Sequence, residues 1–133
     1  SVLLRRNNKI ILYCKGADNV IYDRLSTSQT TIKTQTQEHL NKFAGEGLRT
    51  LALAERVIEE NYYYNWIERL QHASVALDKR EEKMNVLYEE IETDLILVGV
   101  TAIEDKLQDG VPHAIANLQM AGIKIWVLTG DKQ

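Results

Sequence analysis

Apolar and polar residues change period several times along the chain, and each change marks an element. Residues 2–5 and 9–13 read as two short β-runs separated by Arg6, Asn7 and Asn8, and asparagine tolerates positive φ, so a hairpin is predicted there. After Gly16 the spacing of Val20, Ile21 and Leu25 becomes helical. A polar loop over 26–31 precedes a second helix with Ile32, Thr36, Leu40 and Phe43 on one face. The glycines of "GEG" at 45–47 should end it, because glycine accepts the left-handed conformation of a helix C-cap.

Residues 48–57, "LRTLALAERV", predict a largely buried strand. Residues 59–92 are helical in pattern, with one stripe of Trp66, Leu70 and Ala73 and another of Met84, Leu87, Tyr88 and Ile91, so a turn is expected over 74–78. Residues 95–103 form the clearest strand. Pro112 is placed to open a last helix, whose apolar positions are Ala114, Ile115, Leu118 and Ala121 and which Gly122 ends; 123–128, "IKIWVL", predicts a final buried strand.

Composition narrows the class. The 133 residues are 44% hydrophobic and 26% charged, enough apolar material for a core and too much for a disordered chain. A formal charge of −3 argues against nucleic acid as a partner. The apolar runs are strand-sized and fall short of the ~20 residues that cross a bilayer. Cys14, the single cysteine, reads as a small buried hydrophobe. The absence of a starting methionine and the stop at "TGDKQ" are expected of a piece of something larger.

Candidate chemistry gathers at strand ends. Lys15 and Gly16 close the second β-run: glycine lets a ligand approach the backbone, and lysine can meet a phosphate or lay its stem along a base. The same residues also describe a turn with a solvated lysine. Arg49 opens the third run, where its guanidinium could clamp a phosphate or pair with Glu46 or Glu55. Asp105 and Asp109 lie in a polar interruption, with helix capping as the simplest role. Thr129, Gly130 and Asp131 follow the last β-run, where open α/β sheets bind ligands, and a hydroxyl, exposed N–H groups and a carboxylate suit a phosphoryl group; the triplet is equally a common turn. The glutamates of the helical stretch, among them Glu89 and Glu90, read as solvated faces. No Walker-type phosphate loop and no zinc spacing occur.

Taken in order, "YCKGADNVIYDRL", "FAGEGLRTLALA" and "LVGVTAIEDKLQDGVPHAIANLQMAGIKIWVLTGDKQ" resemble three successive blocks of the P-type ATPases. The likeness is closest to the type IV branch, the phospholipid flippases, because "IEDKLQ" resembles their version of the hinge that reads Asp-Pro-Pro-Arg in ion pumps. The resemblance implies an α/β (α+β) fold with a largely antiparallel sheet flanked by helices. Residues 1–104 would be the later part of a nucleotide-binding domain, and 105–133 a hinge and the start of a haloacid-dehalogenase-like phosphorylation domain. The strand at 95–103 then belongs to the nucleotide domain instead of pairing in parallel with 123–128.

The resemblance also implies roles. Lys15, Gly16 and Ala17 would line an ATP site, Arg49 would reach the phosphates, and Asp105 would face the ribose side. Thr129, Gly130 and Asp131 would hold the transferred phosphoryl group, and the two cations would converge on one triphosphate. ATP and Mg²⁺ are the implied cofactors. Implied partners are the remaining phosphorylation, actuator and transmembrane domains, a phospholipid substrate and an accessory membrane subunit, so that the chain would be a cytosolic domain of an integral membrane protein. The phosphorylated aspartate of Asp-Lys-Thr-Gly-Thr, the Gly-Asp-Gly-x-Asn-Asp motif and the adenine-stacking aromatic are absent, so the chain alone should bind nucleotide weakly and hydrolyse none. Rival readings are a cation pump, a stand-alone dehalogenase-like phosphatase, which lacks its Asp-x-Asp motif here, and an interaction domain built on 59–92.

Overall fold

Residues 1–128 are described by a computed structural model. Four strands, β1 (Val2–Arg6), β2 (Lys9–Gly16), β3 (Arg49–Ile58) and β4 (Ile96–Ile103), pair side by side in chain order, every pair antiparallel. The two-residue turn between β1 and β2 places Asn7 at φ 49° and Asn8 at φ 59°, the left-handed pair whose twist matches a tight hairpin. Five α-helices accompany the sheet: α1 (Asp18–Tyr22), α2 (Thr30–Gly45), α3 (Glu60–Ser74), α4 (Arg80–Ile91) and α5 (Val111–Met120). Helix α2 stops where predicted, with Gly47 at φ 76° just beyond it.

Side-chain alternation gives the sheet two unlike faces. Ile10, Leu12 and Cys14 of β2 point one way with Ala52, Ala54 and Ile58 of β3 and Leu97 of β4. Trp66, Ala73, Leu87 and Ile91 of the α3–α4 hairpin, with Ile21 and Tyr22 of α1, complete that core. Each of its large side chains contributes about 1.5–3 kcal/mol through the apolar surface it removes from water. The opposite face carries Ile11, Tyr13, Lys15, Leu51, Leu53 and Val57 and is the more open to solvent; Val57 is 54% exposed. The antiparallel α+β architecture predicted from the motifs is the one observed.

The outer edge of β4 is partly closed. Leu95 bridges Leu25 in parallel, and the β4 amide of Leu97 donates to Gln29 Oε1 at 3.2 Å. A polar loop thereby occupies backbone groups that an edge strand would otherwise leave open. A register shift opposite Leu53 and Ala54 makes Val98 an extra residue in β4.

Two expectations are corrected. The strand predicted for 123–128 does not form: no bridge is assigned to those residues, and Trp126 and Val127 are each 88% exposed. An "IKIWVL" run is apolar on both faces and becomes a strand only with neighbours on both sides, which the described sheet does not supply. Asp109 does not cap α5; Gly110, at φ 81°, is its N-cap residue, and Pro112 lies in the first turn as its fixed φ favours.

Candidate nucleotide site

Lys15 and Arg49 lie on the same face of the sheet, and both are exposed. Lys15 pairs with Leu53, and Arg49, four residues earlier on β3, pairs with Ile103. Both odd-numbered β3 positions share the face that Lys15 occupies. Four strand residues at about 3.3 Å each separate the two levels by roughly 13 Å, about the length of an extended nucleoside triphosphate. The two cations are thus offset along β3 on one face of the sheet.

Beside Lys15 the face is concave. A cavity of about 490 Å³ is lined by Val2, Tyr13, Lys15, Leu53 and Val98, with Ser1, Cys14 and Ala54 completing it. Its walls are largely apolar with one cation, the chemistry that suits a planar base and a lysine at its edge. Another cavity, of about 290 Å³, lies near Leu12, Trp66 and Ile91 and has no lysine or arginine in its lining.

Local sequence explains the placement. Lys15 is exposed because period-2 alternation puts Cys14 into the core and Lys15 on the far side. Gly16 falls on the core side, where an added Cβ would meet the Ile21 side chain at 3.6 Å, an ordinary contact; its backbone does not require glycine. Ala17 is the N-cap residue of α1 and accepts a 3.0 Å hydrogen bond from the Ile21 amide. At the start of β3, Arg49 Nε and Nη2 approach Asp105 Oδ2 at 3.1 and 3.0 Å. One partner of Arg49 is thus the interruption carboxylate, where local pairing suggested Glu46 or Glu55. Thr129, Gly130 and Asp131 lie outside the described residues.

The signals that sequence reasoning missed are the cavity walls. Tyr13 was available from the alternation that placed Lys15. Val98 enters through the β4 irregularity, for which the adjoining Gly99 was the one local hint. Among the described residues no group of three or more His, Cys, Asp or Glu could hold a metal ion. The described residues therefore offer no built magnesium site.

Among the described residues, a two-pronged ion pair lies elsewhere, between α3 and α4. Glu90 on α4 accepts from Arg69 Nη1 and Nη2 at 2.8 and 2.6 Å and from the Tyr62 hydroxyl at 2.8 Å. Glu90 is consequently no solvated face: the Arg69 hydrogen bonds, then that of Tyr62, hold its carboxyl at about 2. A carboxyl lowered in the folded state stabilises above its unfolded pKa and loses that contribution as pH falls through the folded value. Glu90→Gln should therefore flatten the dependence of stability on pH between about 4.5 and about 2, read from urea midpoints across that window. An unchanged profile would contradict the pairing.

Comparison with known proteins places this geometry in a class. Residues 1–110 match the family model described as "P-type ATPase, cytoplasmic domain N", and the chain belongs to that family. The likeness to its type IV branch is borne out by the relatives. The chain is 55% identical over its whole length to human phospholipid-transporting ATPase ID and 54% to human phospholipid-transporting ATPase IC. It is 54% identical, over 95% of its length, to phospholipid-transporting ATPase DNF1 of Chaetomium thermophilum. It spans 11% of each human relative and 8% of the fungal one.

Proposed function

We propose that this sheet face binds ATP, with the base in the cavity beside Lys15 and the phosphates running along β3 toward Arg49. The observation that carries this reading is a largely apolar cavity with a single lysine in its lining, on the same face as an arginine one triphosphate length away. Lys15 contributes a donor and an apolar stem at the base end, and Arg49 a planar fork at the phosphate end. Gly16 and Ala17 end the strand that carries Lys15 and lead into α1. Thr129, Gly130 and Asp131 hold the phosphoryl group at its destination, and Mg²⁺ accompanies the phosphates.

The division between a nucleotide-binding part, 1–104, and a hinge with the start of a phosphorylation domain, 105–133, is proposed on the end of the sheet at Ile103. In the intact protein, ATP held here is delivered to an aspartate outside this chain, and the aspartyl-phosphate drives phospholipid translocation. The work of this domain is positioning and charge neutralisation, which phosphoryl transfer chiefly requires. The chain alone therefore turns over no ATP. It serves as a cytosolic domain of a membrane protein, beside the actuator and transmembrane domains and an accessory subunit.

An NMR titration with ATP tests the site. Amide shifts should cluster at residues 13–17, 49–53 and 98. Lys15→Ala should weaken binding by roughly 3- to 10-fold, the loss of about one hydrogen bond to a ligand, and should remove the shifts at 13–17 first. Shifts scattered over the helical side, or none, would reject the site.

A further inference from the structure

We infer that Asp105 is a positioning residue that holds Arg49 at the start of β3 and that the nucleotide polyphosphate displaces it. The inference rests on the nucleotide reading above, and it replaces direct ribose contact by Asp105 with action through Arg49.

The contacts to Asp105 engage one edge of the guanidinium, Nε at 3.1 Å and Nη2 at 3.0 Å, and both end on a single oxygen, Oδ2. That edge is one of those through which a guanidinium grips a phosphate by two parallel hydrogen bonds. A phosphate approaching it competes with the Asp105 carboxylate for the same donors. Register brings the two together: Arg49 opens β3 opposite Ile103, and Asp105 follows Ile103 by two residues. The chain leaving the sheet carries the carboxylate over the start of β3. The nearby Glu104 is paired with Lys106 at 3.2 Å, so Asp105 is the acidic residue of the segment committed to Arg49.

The strength of the pair suits exchange. The two side chains are 58% and 65% exposed, and an ion pair so open to water is weak enough for a multiply charged anion to replace it. While paired, the arginine is tied to the segment that follows β4. Once the phosphate takes the fork, the carboxylate is released from β3, and the segment it belongs to loses a tie to the sheet. Binding at the phosphate end and freedom of the hinge are then linked through one side chain.

A double-mutant cycle on this chain, with ATP affinity as readout, tests the assignment. Removing the competitor by Asp105→Asn should raise ATP affinity by about 2- to 5-fold, the range an exposed ion pair commands, and leave adenosine affinity unchanged. In the Arg49→Ala background the same substitution should change nothing. The Arg49 Nε–H resonance should move on adding ATP and stay in place with adenosine. A loss of ATP affinity in Asp105→Asn would make Asp105 a direct ligand and overturn the inference. A gain that persists in Arg49→Ala would mark simple charge repulsion and overturn it too. Failure of the native chain to show ATP shifts at 13–17 would overturn the nucleotide reading itself, which separates the two failures. Core amide resonances in each variant verify that it is folded.

Discussion

Trp66→Ala should destabilise the domain by about 3–5 kcal/mol, the usual cost of truncating a buried tryptophan. Trp66 is 4% exposed and lies in the core between the sheet and α4. Its indole Nε1–H donates to the Leu87 carbonyl at 2.8 Å, a long-range bond between α3 and α4. Alanine removes the ring and leaves both a void and a carbonyl without that donor, and the two losses act together. Against a total stability of about 5–15 kcal/mol this is a large share. The measurement is a urea unfolding curve; Trp66→Phe, which retains an aromatic ring without the donor, should lose less. A loss under about 1 kcal/mol for alanine would mean that the α3–α4 hairpin is not part of the same cooperative core.

That hairpin was legible because its two stripes keep helical spacing and meet at a polar turn. Trp66, Ala73, Leu87 and Ile91 are buried as their spacing required and Leu70 and Met84 pack against the core, whereas Tyr88 of the same stripe is left 38% exposed. The four strands were legible for a similar reason: alternation and glycine or asparagine breaks act locally. The last apolar run failed on a non-local requirement. Strand propensity in 123–128 describes what those residues can pair with, and the described sheet ends at β4 without them. Glu90 failed likewise, since its partners Tyr62 and Arg69 come from another helix, at a distance no linear spacing reveals.

The candidate site was half legible. Lys15, Arg49 and Asp105 could be named from their blocks, but their mutual geometry could not. Alternation decides that Lys15 and Arg49 share a face, and register decides how far apart along β3 they stand. The cavity beside Lys15 depends on an extra residue in β4 and on walls drawn from four strands. Neither is a property of one segment.

The largest functional effect is expected from Arg49→Ala. The residue is exposed at the first position of β3, so its truncation touches no core contact, and losing an exposed pair with Asp105 costs under about 1 kcal/mol of stability. Its value lies in the ligand: charged hydrogen bonds to a polyphosphate contribute about 1.5–3 kcal/mol, or roughly 10- to 150-fold in affinity. ATP binding should fall by that factor, while adenosine, which occupies only the cavity beside Lys15, should bind as before. Arg49→Lys should restore part of the loss, since an ammonium supplies charge without the planar fork. Calorimetric titration of ATP and adenosine into the native chain and both variants reads the difference directly. Equal losses for the two ligands would place Arg49 at the base end, and no loss for either would remove it from the site. The division of labour between a cavity that takes the base and an arginine that takes the phosphates stands on that contrast.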